Sequence, residues 1–156
     1  MSNTAHTAQT AQTFTVPQLL KMSQKELDDL FTNSPAGDIP DGDCQGTVIV
    51  APGSTMTEIK AKLIHIFGWQ GKVFDARHGT LVNKILVTGT HAIVAQVYKD
   101  KSWYDDKECI VIDYSKTSLV AGWVRDEIRL IGPRTYLGVV YMGKKKTIDF
   151  VLVFPE

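Results

Sequence analysis

Residues 125–153 read RDEIRLIGPRTYLGVVYMGKKKTIDFVLV. Three runs rich in Ile, Val, Leu, Tyr and Phe occupy 125–131, 135–142 and 146–153. Such side chains suit a pleated, half-buried surface. Only Gly132-Pro133-Arg134 and Gly143-Lys144-Lys145 separate the runs. A gap that short cannot hold a crossover helix, so each strand must turn back antiparallel to the one before it. Working towards the N-terminus, the same pattern predicts strands at 107–114, 90–99, 80–87, 71–76 and 47–51, with turns at Arg77-His78-Gly79 and Thr88-Gly89. That makes eight strands. The 100–106 connection is longer and polar. In 115–124, Leu119, Val120, Trp123 and Val124 fit a short helix capped by Ser115 or Thr117.

The N-terminal third reads differently. Ser23 and Glu26 form a capping box ahead of Leu27, Leu30 and Phe31, which lie on one helical face. Pro17 suits the start of a preceding turn. Asn33 to Gly46 carries Pro35, Gly37, Pro40 and Gly42 and reads as a loop. A second capping box, Thr55 to Glu58, opens a helix over 56–67 with Ile59, Leu63, Ile66 and Phe67 on one face. Residues 1–13, with the triplet Thr-Ala-Gln repeated at 7–9 and 10–12, hold nothing that can form a core and read as a disordered tail.

The expected architecture is mainly β with a few helices: one domain over 14–156, in which an eight-stranded antiparallel meander closes into a barrel. One helix precedes the first strand and another follows it. Closure removes exposed edges, and eight strands leave room for side chains or one small ligand. An open sheet curled around the 56–67 helix is the alternative. The order of elements over roughly 43–154 resembles the calycin superfamily, the lipocalin-like barrels that bind apolar small molecules. The lipocalin Gly-x-Trp on the first strand has no match here: Gly68-Trp69 is adjacent and precedes the second strand. No lipocalin residue therefore carries over. Asp113-Tyr114-Ser115 with Thr117-Ser118, and Arg125 to Arg129 followed by Tyr136-Leu137-Gly138, are similar to stretches of uncharacterised bacterial proteins of this size. That likeness implies no activity.

Composition narrows the function. Lys plus Arg is 17 and Asp plus Glu is 17, which argues against nucleic-acid binding through a strong basic field. No apolar run is long enough for a membrane-spanning helix, and the polar N-terminus lacks a signal-peptide pattern. The expected location is cytoplasmic. Lys144-Lys145-Lys146 reads as a solvated turn rather than a membrane contact. Cys44 and Cys109 make neither a disulfide framework nor a metal quartet. His6, His65, His78 and His91 show no helical zinc spacing, and Asp38, Asp41 and Asp43 lack the calcium-loop pattern. No metal and no cofactor is expected. No Gly-x-Ser-x-Gly elbow or phosphate loop is present.

What remains is polar residues set in apolar strands. Asn83 alternates with Leu81 and Ile85, Asp113 with Cys109 and Val111, and Asp149 lies within 148–152. Gln96 sits between Ala95 and Val97, and Arg125, Asp126, Glu127 and Arg129 crowd one strand. Turned inward, such groups orient a guest in an apolar pocket. Turned outward, they are surface charge pairs worth little each, and an inward Asp113 paired with Arg129 would be a structural ion pair.

The leading expectation is a barrel that binds a small, largely apolar molecule. Asn83, Arg125 and Arg129 are its expected polar anchors, with Trp103 and Tyr114 near the mouth. A rival reading makes Asp113 a general acid or base for cofactor-independent isomerase, cyclase or lyase chemistry in the same cavity. A third is an interaction module. Val48-Ile49-Val50, Ile110-Val111-Ile112 and Val151-Leu152-Val153 are apolar on both faces, which implies covering helices or a second copy, as in a homodimer.

Overall fold

The chain is described by a computed structural model, which covers residues 12–50, 69–85, 93–118 and 121–156. Two short helices, α1 (Val16–Leu20) and α2 (Gln24–Thr32), precede nine strands. These are β1 (Gly42–Asp43), β2 (Gln45–Ile49), β3 (Trp69–Asp75), β4 (Thr80–Ile85), β5 (Val94–Lys101), β6 (Glu108–Asp113), β7 (Val124–Gly132), β8 (Thr135–Met142) and β9 (Lys145–Val153). The expected helix over 56–67, the turn at 88–89, Leu119, Val120 and most of the expected tail lie outside the described residues.

All neighbours are antiparallel, in the order β1-β3-β4-β5-β6-β7-β8-β9-β2. The two edges of this sheet are consecutive pieces of one segment. Only Cys44 separates β1 from β2, and its backbone N–H donates to the Lys72 carbonyl at 3.0 Å. Residues 42–49 therefore pair with β3 through their first half and with β9 through their second, and the sheet is a nearly closed barrel. Nine strands replace the expected eight because this first stave is broken at Cys44. It also begins earlier than expected: residues 42–46 lie in the sheet, not in the loop. Gly46 permits this, since a β-carbon there would stand 2.2 Å from the Trp69 ring. Val124 likewise opens β7 rather than ending a helix.

The expected capping box of Ser23 with Glu26 opens α2, and a further one, Thr15 with Gln18, opens α1; the expected box at Thr55 to Glu58 lies outside the described residues. The helices lie on the outer wall. Leu19, Leu27 and Phe31 pack there with Ile49, Ile131, Leu137, Val139 and Val151. This explains why those strands are apolar on both faces: one face lines the barrel and the other lies beneath helices.

The interior core contains Phe74, Leu81, Ala95, Val97, Ile110, Ile112, Ile128, Phe150 and Leu152. Gly138 faces the same space, and a β-carbon there would come within 2.2 Å of the Phe150 ring. The two ends of the barrel differ. At one end Phe154 packs on Phe74 (centroids 5.6 Å apart) and on Tyr136 (5.7 Å). Residues 35–39 cross that end: the Leu130 N–H donates to the Pro35 carbonyl at 2.9 Å, and the Tyr136 hydroxyl donates to the Asp38 carbonyl at 2.7 Å. By register, β2, β4, β6 and β8 end, and β3, β5, β7 and β9 begin, at the opposite end, the upper rim.

Candidate functional site

Inside the barrel, on the upper-rim side, lies a cluster of polar side chains. Lys72 on β3 alternates with Phe74 and so faces inward, where it is only 3% exposed. Its ammonium donates to Asn83 Oδ1 at 2.7 Å, to the Tyr114 hydroxyl at 2.8 Å and to Asp126 Oδ2 at 3.0 Å. These three acceptors match its three N–H bonds. The Tyr114 hydroxyl also accepts from Asn83 Nδ2 at 3.0 Å and donates to Asp126 Oδ2 at 3.2 Å. Asn83 Nδ2 reaches the Ile93 carbonyl at 3.2 Å, and Trp69 Nε1 donates to Asn83 Oδ1 at 3.2 Å. Aromatic faces surround the ammonium: the Trp69, Tyr114 and Phe150 centroids lie 5.4, 5.6 and 5.6 Å from Nζ.

A β-bulge assembles this cluster. Trp69 pairs with Ile85 but Gly71 pairs with Lys84, so β3 carries one extra residue at that point. Without it, Trp69 and Lys72 would point to opposite faces; with it, both reach the interior. Gly71 is required there. Its φ is +141°, and a β-carbon would stand 2.2 Å from the Cys44 carbonyl oxygen.

Burial works to lower the Lys72 pKa, but the Tyr114 and Asp126 oxygens more than offset it, and the ammonium is held above its ordinary value. Burial and the Asp126 carboxylate push the Tyr114 phenol up to about 12 against the pull of Lys72. At neutral pH the site is thus a charged lysine and a neutral phenol in an apolar lining.

Two expected site residues, Asn83 and Tyr114, belong to this cluster. The structure does not bring Asp113, Arg125, Arg129 or Trp103 to it. On β6 the interior takes Ile110 and Ile112, so Asp113 faces outward with Cys109 and Val111. Asp113 accepts from the Tyr98 hydroxyl at 2.8 Å and the Ser115 N–H at 2.9 Å. Burial acts to raise its carboxyl, yet the hydrogen bonds from Ser115 and Tyr98 prevail and hold it below the usual range.

Arg125 and Arg129 project from the outer face of β7 beneath the 102–107 connection. Arg125 pairs with Glu127 at 2.9 Å, whose carboxylate also accepts from Ser102 Oγ at 2.5 Å and the Trp103 N–H at 2.8 Å. Trp103 stacks over the Arg125 guanidinium, 4.4 Å from centroid to Cζ, and meets Tyr141 edge-on at 5.3 Å. It lies on the outer wall, not at the mouth. Arg129 pairs with Asp105 rather than Asp113. Among the other flagged polar residues, Gln96 lies opposite Asp113 on the outer face, and Asp149 accepts from Gln24 of α2 at 2.7 Å.

Sequence reasoning missed Lys72, Asp126 and Trp69 as partners. A signal existed for two of them. Lys72 alternates with Phe74, and Asp126 with Ile128, so opposite charges stand on inward phases of strands distant in sequence.

Fold and site together define a class: an antiparallel barrel, filled at one end, with one charge-neutral polar cluster inside an aromatic interior. The comparisons agree at the level of fold. The structure is similar to the crystal structure of a protein from Thermomonospora curvata, with a TM-score of 0.60 and 12% sequence identity over 87% of this chain and 90% of that one. No family model matches the sequence, and no curated protein matches it significantly. Among the described residues no group of three or more His, Cys, Asp or Glu is placed to hold a metal ion, and no helix is long and apolar enough to cross a membrane.

Proposed function

We propose that this protein is a lipocalin-like binding barrel for a small, largely apolar molecule, admitted at the upper rim. One observation carries the reading: the Lys72–Asn83–Tyr114–Asp126 cluster lies inside an otherwise apolar, aromatic barrel. A mostly hydrophobic lining with a few placed polar groups is how small-molecule sites fix orientation. A polar cluster is a poor way to fill a core, since isosteric apolar side chains serve stability as well or better. The end filled by Phe74, Tyr136 and Phe154 leaves the upper rim as the way in. Asn83 then acts as an anchor through Trp69, whose indole N–H it orients, and Lys72, Tyr114 and Asp126 hold Asn83 in place.

Protein purified without detergent, weighed by native mass spectrometry and then extracted with solvent, tests this. The expected result is one reproducible small molecule per chain, or its uptake from a lipid and metabolite extract. A bare mass after both treatments refutes the reading.

A second reading, self-association, is favoured by a different observation. Val73 and Val82 are cross-strand partners on the outer face of β3 and β4, and they stay 39% and 37% exposed. Sedimentation equilibrium should show a dimer that Val73→Lys dissociates. A monomer at every concentration removes this reading.

A further inference from the structure

We infer that the barrel selects an electrically neutral guest bearing one acceptor oxygen, a ketone, ester or alcohol, which hydrogen-bonds to Trp69 Nε1. The inference rests on the binding reading above and adds the chemistry of the guest.

The first argument is charge. Among the described residues, the buried charged side chains are Lys72, Asp126, Glu127, Arg129 and Asp149. Glu127, Arg129 and Asp149 face the outer wall, where Ser102, Asp105 and Gln24 respectively meet them. Among the described residues the interior thus holds one cation and one anion, paired at 3.0 Å. A carboxylate guest would need a free cation, and an amine guest a free anion. Lys72 and Asp126 neutralise each other and supply neither. Burying a charge without a counter-ion carries a large desolvation cost.

The second argument is hydrogen bonding. Among the described residues every buried side-chain N and O atom has a partner, so a guest must take over an existing bond without orphaning another atom. The Trp69 indole N–H meets that condition. It gives a long 3.2 Å bond to Asn83 Oδ1, and that oxygen already accepts the shorter 2.7 Å bond from Lys72. A guest oxygen that takes the indole proton therefore leaves Asn83 satisfied. Trp69 is also the member of the cluster that opens its strand at the upper rim, where a guest would enter. The Phe150 ring, edge-on to Trp69 at 5.7 Å, suits an apolar remainder.

Calorimetry of the full chain at neutral pH with decyl alcohol, methyl octyl ketone, decanoate and decylamine, each below its micelle-forming concentration, tests the inference. Alcohol and ketone should bind at least about tenfold more tightly than either ion. Decanoate or decylamine binding as tightly as the neutral pair would overturn the charge rule and leave the binding reading standing. No binding by any of the four would overturn both. Two variants sharpen the outcome. Trp69→Phe should weaken the ketone about tenfold more than it weakens decane, and equal loss of both would overturn the role of the indole N–H. Asp126→Asn leaves Lys72 unneutralised and should reverse the preference towards decanoate, and an unchanged order would again overturn the charge rule.

Discussion

Replacing Arg129 with methionine should cost about 3–5 kcal/mol of folding stability, the usual effect of removing one partner from a buried, hydrogen-bonded pair. For a chain of this length that corresponds to a fall in Tm of roughly 10 °C. Arg129 has no solvent exposure, and all five of its N–H bonds are used. Its guanidinium forks onto Asp105 with two bonds of 2.7 Å. The remaining N–H groups donate to the carbonyls of Phe31 at 2.9 Å, Glu108 at 3.1 Å and Lys107 at 3.1 Å. One side chain thus ties together the end of α2, the 102–107 connection, the start of β6 and the outer face of β7. Methionine fills much of the space but removes both guanidinium bonds from the Asp105 carboxylate and one bond from each of three carbonyls, of which those of Phe31 and Lys107 keep backbone donors from Ser34 and Ser102. Arg129→Lys should rescue little, because an ammonium cannot present the planar fork that Asp105 accepts. Urea unfolding of the three proteins checks this, and a loss below 1 kcal/mol would show that the network is slack.

The same pair has a pH signature. The hydrogen bond from Arg129 is the main reason the Asp105 carboxyl sits below its ordinary 3.8, against an opposing effect of burial. A depressed carboxylate contributes its full stabilisation above the unfolded pKa and loses it as pH falls through the folded one. The stability gap between wild type and Arg129→Met should therefore be widest near neutrality and narrow below about pH 4. A gap that stays constant to lower pH would assign the loss to packing instead.

The barrel was legible because its signal is local. Three-residue gaps such as 132–134 and 143–145 force antiparallel return, and period-two alternation marks the strands between them. What escaped the sequence depends on partners distant along the chain. Cys44 splits the first stave because each half pairs with a different neighbour, β3 and β9, and no local pattern announces that change. Asn83 is legible because a polar side chain interrupts an apolar run, and Tyr114 because it is an aromatic beside Asp113 at the end of one. Asp113, Arg125 and Arg129 gave the same signal for another reason. Their strands are largely buried on both faces, so alternation alone cannot say which face is the interior. The helices and the 102–107 connection bury the outer face as thoroughly as the barrel buries the inner one. Lys72 is hard to find because a lysine on a strand usually faces water, and only the bulge at 69–71 brings Trp69, three residues away, to the same face.

The second large effect separates binding from stability at the interior cluster. Lys72→Met alone should cost about 3–5 kcal/mol, since it strands the Asp126 carboxylate in an apolar interior. Asp126→Leu alone should cost a similar amount, since it strands the Lys72 ammonium. The double variant removes both charges together. Asn83 Nδ2 still donates to the Tyr114 hydroxyl at 3.0 Å and Trp69 still reaches Asn83, so that only the Tyr114 O–H, a long 3.2 Å donor to Asp126, loses its acceptor. The double variant should therefore stand within about 1 kcal/mol of wild type or exceed it, as happens when buried ion pairs yield to apolar residues of similar volume. The coupling between the two sites, read from a double-mutant cycle in urea, should then be large and favourable. If the cluster is kept for a guest, this stable double variant should fail to retain the molecule that wild type carries through purification. If it retains that molecule unchanged, the cluster belongs to the core alone and the binding surface must be sought elsewhere. If instead the double variant is as unstable as either single one, the ion pair is itself what holds β3, β6 and β7 in register around it.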